Sequence, residues 1–123
     1  MSIDEYMNAE ELASLDSYQR DRWRDLVEGF DAGGSFASIP ERMRGPIIRW
    51  VIYRIPPGHF LSAVLKNDLH EAVSRADDEN VAILHNWIRF LYNYVPAECW
   101  GSPDTFYRWM EGTNEIQDSS GDA

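Results

Sequence analysis

Between residues 55 and 102 the chain reads as two amphipathic helices joined by an acidic turn and closed by a Cys99-Trp100-Gly101-Ser102 corner. The second of these helices, residues 78–95, constrains the fold most. At about 100° per residue, Val81, Leu84, Ile88, Leu91 and Val95 form one apolar stripe. Ile83, Trp87, Phe90 and Tyr94 form a second beside it, and together the two cover about 200° of the circumference. His85, Asn86, Arg89 and Asn93, with Ala82, make the polar side. A helix this apolar is either central in a bundle or part of an interface. The central position is preferred; in the alternative, a partner or second subunit docks on the Trp87/Tyr94 side.

The rest of the chain is consistent with a helical neighbourhood. A helix is expected over residues 9–30, with Asn8 and Glu11 at capping-box spacing and a break available at Asp16-Ser17. Leu12, Leu15, Tyr18, Trp23, Leu26, Val27 and Phe30 supply its buried stripe, while Arg20, Arg22 and Arg24 interleave with Asp21, Asp25 and Glu28 as a salt-bridged face. Residues 31–35 read as a loop. Ser38 and Glu41 fit a second capping box, starting a short helix that Gly45-Pro46 interrupts. Residues 47–55 are β-branched enough for a strand. They follow an i, i+1, i+4, i+5, i+8 pattern, however, and a strand would have no partner, so helix is expected.

After Pro56-Pro57-Gly58, a helix over residues 59–75 should bury Phe60, Leu61, Val64, Leu65, Leu69, Ala72, Val73 and Ala76, turning Lys66, Asn67, His70, Glu71 and Ser74 outward. Asp77 caps the next helix, with Asp78 and Glu79 in its first turn. Ser102-Pro103-Asp104 starts a last short helix with Phe106, Trp109 and Met110 on its apolar edge. The expected architecture is all-α: one compact helical bundle of about five helices over residues 1–111, followed by a disordered acidic tail over 112–123.

Charge narrows the function. The chain has 21 acids against 11 bases, net −10, with 10 acids and 7 bases in residues 1–54 and 11 acids and 4 bases in residues 55–123. Such a field repels phosphate backbones, so direct nucleic-acid binding is disfavoured, while basic protein surfaces are attracted. An acidic surface also serves solubility alone. No run of about 18 apolar residues suggests a membrane span, and the acidic start Met1-Ser2-Ile3-Asp4-Glu5 does not read as a secretory signal. A lone cysteine, Cys99, fits a reducing cytosol.

Chemistry is sparse. Cys99 has no local histidine motif and reads as a small buried filler, not a nucleophile. His59, His70 and His85 are scattered, so no zinc pattern exists. No phosphate loop or cofactor motif is present, and no catalytic residue is assigned. Asp68, Glu71, Asp77, Asp78 and Glu79 could offer hard oxygen ligands, but their spacing matches no calcium loop, and capping with solvation is the simpler role. Asp68, at the border of an apolar face, is expected to pair with Arg49, Arg54 or Arg89. The residues left for a partner site are Asn67, His70, Glu71, Asp77, Asp78, Glu79, Trp87 and Tyr94.

The run from Pro57 to Leu69, then Arg75-Ala76-Asp77 with Asn80, Phe90-Leu91-Tyr92-Asn93, Pro96 and Cys99-Trp100-Gly101-Ser102 resembles a group of short tailed-bacteriophage and prophage proteins without an assigned activity. The resemblance covers about residues 47–110. It implies a small non-enzymatic accessory protein acting in the host cytoplasm on a host protein with a basic surface, such as a CRISPR effector. A self-associating assembly protein, as a homodimer, and a metal-dependent enzyme on Asp68, Glu71 and Asp77 are the alternatives.

Overall fold

The computed structural model describes residues 7–31 and 39–112. The described residues are all-α, with no strand among them. In chain order the helices are α1 (Ala9–Ser14), α2 (Ser17–Asp31), α3 (Glu41–Tyr53), α4 (His59–Leu65), α5 (Leu69–Arg75), α6 (Asp78–Ala82), α7 (Leu84–Tyr94) and α8 (Pro103–Glu111), with a 3-10 turn at Ala97–Cys99. Residues 47–53 are helical, as their periodicity predicts. Ser38 and the tail at 113–123 lie outside the described residues.

Among the described residues eight α-helices replace about five because three expected helices are each divided. The first break falls at Leu15-Asp16, where Asp16 accepts from the Gln19 backbone N–H at 2.7 Å and Gln19 Oε1 accepts from the Asp16 N–H at 3.0 Å. That reciprocal cap starts α2. The Asn8/Glu11 capping box forms as expected at α1.

The second break corrects the expected helix over 59–75. Asn67 is left-handed (φ 61°). The Asp68 N–H bonds to the Ala63 carbonyl at 2.9 Å and the Asn67 N–H to that of Val64 at 3.0 Å. This is a Schellman stop, with asparagine at the position glycine usually takes. Asp68 then caps α5 by accepting from the Glu71 N–H at 3.1 Å.

The third break, at Ile83, corrects the single helix over 78–95. Asn80 on α6 is buried and accepts from Trp87 Nε1 at 2.9 Å. Asn86, expected on the polar side, is also buried.

One expected break is absent. Pro46 lies inside α3 rather than beginning a helix. Its missing N–H forgoes one bond to the carbonyl four residues back, while Ile47, Ile48, Trp50, Val51 and Ile52 on the same helix are buried and hold it in place.

One hydrophobic cluster joins these elements. The α2 helix packs on both α3 and α7, and α4 on α5. Close approach of α2 to α7 depends on Gly29: a Cβ there would lie 2.7 Å from Tyr94 Cγ and 2.8 Å from Phe90 Cε1. Phe30 stacks on Phe90 beside it, centroids 5.2 Å apart. At the other end Trp50 is the hub. Its Nε1 donates to the Cys99 carbonyl, its own carbonyl accepts from Trp109 Nε1, both at 2.9 Å, and its ring stacks on Phe106 at 4.5 Å. The corner is tied down by the Gly101 N–H, which donates to the Leu65 carbonyl at 2.8 Å.

Candidate functional site

The acidic turn is largely accounted for by structure. Asp77 caps α6 by accepting from the Asn80 N–H at 2.9 Å. Arg42 on α3 reaches across to Asp77 at 2.7 Å and to Glu79 at 2.9 Å. The Asn80 N–H, and then Arg42, hold the Asp77 carboxyl below its ordinary value. Asp78 is exposed in the first turn of α6.

Glu71 pairs along α5 with Arg75 at 2.7 Å. Asp68, Glu71 and Asp77 are thus each committed to a different neighbour. Among the described residues no group of three or more His, Cys, Asp or Glu could hold a metal ion. Asp68 serves as a helix cap and makes no ion pair with Arg49, Arg54 or Arg89, which corrects the partner expected for it.

Trp87 has no exposed surface and sits edge-on to Phe60 and Phe90. It belongs to the core and offers no surface to a partner, which corrects its expected place in a partner site. Tyr94 is half-buried and packs on Phe90, with Gly29 beneath it. The central reading of the second stripe therefore applies to Trp87 and Phe90. Asn67 and His70 are exposed, and Asn67 lines a groove.

That groove is shallow, about 30 Å³, and runs between α5 and α7 over Val64 and Ala72. Leu69 forms one wall and Leu84 with Ile88 the other, with Asn67 and Asp68 at its lining. Leu69 is 67% exposed and Val73, one turn along α5, 46%. Ile88 is 38% exposed and Tyr92, one turn along α7, 79%. Leu69 and Val73 were expected in the core, and the break at Asn67 explains the difference. A continuous helix would hold Leu69 one turn beyond Leu65 on the same face; the left-handed residue redirects α5 and lifts Leu69 into solvent. The break at Ile83 likewise leaves Val81 46% exposed.

The stretch of chain that forms this face is acidic in sequence, with Asp68 at the groove itself. Residues 67–92 carry the carboxylates of Asp68, Glu71, Asp77, Asp78 and Glu79 against Arg75 and Arg89. Arg42 offsets part of the turn.

Cys99 is fully enclosed, and burial followed by the nearby Glu98 carboxylate pushes its thiol well above the ordinary value. His59, His70 and His85 are all exposed, whereas Cys99 is enclosed. A protonated, enclosed thiol is a packing group. Tyr18 donates to Glu98 at 3.2 Å, and burial, then that carboxylate, raises its phenol to about 12. No described helix is long and apolar enough to cross a membrane. No protein-family model matches the chain, and no curated protein or solved structure is significantly similar to it.

Proposed function

We propose that this chain acts by binding a protein rather than by catalysis, as an acidic accessory inhibitor of the tailed-phage type, with the α5–α7 face as its docking surface. The observation that carries this reading is the exposed apolar pair Leu69 and Ile88 across the α5–α7 groove, with Val73 and Tyr92 exposed one turn further along and Asp68 at the lining, in a stretch of chain that holds five carboxylates against two arginines. Exposed apolar area is the feature that marks interaction sites, and the acidic fringe selects a partner whose own apolar contact is flanked by Lys or Arg. A host protein that handles nucleic acid, a CRISPR effector for example, presents that chemistry. Inhibition follows if the acidic surface occupies the place of a phosphate backbone.

The same apolar face also suits self-association. Charge opposes it: a second copy brings another −10 and sets like carboxylates against one another. The tagged chain should therefore sediment as a monomer at low salt, and should retain from host lysate a basic, nucleic-acid-handling protein that rising salt releases. A stable dimer with no retained host protein would transfer the face to self-association. A monomer that retains nothing and leaves phage infection of defended cells unchanged would end the inhibitor reading.

A further inference from the structure

We propose that a second site, the cleft between α1 and α3, binds a small carboxylate carrying an apolar group. The cleft is open to solvent, has a volume of about 470 Å³, and is lined by Met7, Glu11, Gly45, Ile48, Arg49, Tyr53 and Ile55, of which Glu11, Arg49, Tyr53 and Ile55 are exposed. This volume is within the range of small-ligand sites, which pair an apolar floor with a few convergent polar groups. Met7 and Ile48 are buried and supply the floor, while half-exposed Ile55 adds an apolar wall.

The polar groups are unusual for this molecule. Among the described residues Arg49 is the one cationic side chain with no hydrogen bond, ion pair or ring contact, although acids outnumber bases nearly two to one. The ten other Lys and Arg side chains have partners: Arg22, Arg24, Arg42 and Arg75 pair with carboxylates, Arg20, Arg44 and Arg54 donate to carbonyls, Lys66 donates to Tyr107, and Arg89 and Arg108 are engaged as well. Glu11 lines the same cleft but makes no ion pair with Arg49; its Oε1 accepts from the Asn8 N–H at 3.1 Å and completes the α1 cap.

Tyr53 also makes no hydrogen bond through its hydroxyl. Burial, then the nearby Glu11, raises its pKa above the ordinary value, so at neutral pH it is a donor. Gly45 leaves the room these groups need, since a Cβ there would come within 3.2 Å of an Arg49 guanidinium nitrogen.

A guanidinium binds a carboxylate bidentately, and the Tyr53 hydroxyl on the same lining offers a further donor. The exposed Glu11 carboxylate repels any anion in the cleft and repels a doubly charged phosphate more than a singly charged carboxylate. The floor of Met7 and Ile48 asks for an apolar group beyond the carboxylate.

The test is a titration of the full-length ¹⁵N-labelled chain with 3-phenylpropanoate, and separately with the neutral 3-phenylpropanamide, followed by amide NMR. The acid should give saturable shifts centred on Gly45, Arg49 and Tyr53, and the amide should bind about tenfold or more weakly. Arg49→Gln should weaken the acid by a similar factor and Tyr53→Phe by less. The proposal is overturned if the acid produces no saturable shift in the cleft up to about 10 mM, if acid and amide bind alike, or if the shifts fall elsewhere. The acid–amide comparison decides the matter on the wild-type chain even if a variant loses its fold.

Discussion

Trp50, Gly29 and Asn80 hold the molecule together, and none of them carries a local signal in the sequence. Trp50 joins α3, the Cys99 corner and α8 through two hydrogen bonds and a stacked ring. Asn80 reads as a turn residue but is turned inward to Trp87. The role of Gly29 exists only once α7 is in place against it. Gly29→Ala gains up to about 1 kcal/mol of helix propensity. It also forces a methyl into contacts of 2.7 and 2.8 Å with Tyr94 and Phe90. Overpacking of this kind costs about 1–3 kcal/mol, so the variant should unfold at lower urea than wild type. An unchanged or raised midpoint would show that α2 and α7 are not in close contact. By contrast the caps at Asn8/Glu11, Asp77 and Ser102 are legible, because each needs only residues within one turn.

Element boundaries are legible where capping chemistry and hydrophobic period agree, and illegible where they conflict. Leu65 and Leu69 are four residues apart, so the apolar period runs unbroken across Asn67-Asp68 and predicts one helix. The pair is in fact a stop and then a start: asparagine tolerates the left-handed turn and aspartate caps α5. Gly45-Pro46 is the reverse case, a strong local breaker overridden by the buried run from Ile47 to Ile52. The consequence for the site is direct. Because the period does not register the break at Asn67, it assigns Leu69 and Val73 to the core and conceals the face they form.

The junction of α5 and α6 also gives a pH dependence. The folded-state pKa of Asp77 lies below its ordinary value of 3.8, through the Asn80 N–H and then Arg42. Its contribution to stability is therefore fully present above pH 3.8 and is lost as pH falls through the lower folded value. Asp77→Asn preserves a capping side chain but removes the carboxylate. Urea unfolding between about pH 2 and about pH 6 should show a wild-type advantage that is constant at the upper end and shrinks on acidification. An advantage that persists undiminished to the acid end would assign the role of Asp77 to its cap alone.

At the scale of the whole molecule, charge and exposed apolar area fall together. The chain carries net −10, with most of the excess after residue 55, and the same region holds the α5–α7 face. Charge asymmetry and the all-α class are readable from composition and period. The exposed apolar face is not, since its groove exists only after the breaks at Asn67 and Ile83 bring residues of α5 and α7 to one lining. Of the residues picked out from sequence, Asn67 lies at this groove, while Trp87 is enclosed and Asp77 and Glu79 are engaged by Arg42. The measurement that tests this account most directly compares tagged wild type with the double variant Leu69→Asp/Ile88→Asp, each shown to be folded, in capture from host lysate at about 0.05 M and about 0.3 M salt. A basic host protein should be retained by wild type at low salt, and lost both at high salt and from the double variant. Equal retention by the two proteins, or retention indifferent to salt, would contradict the α5–α7 face as the docking surface.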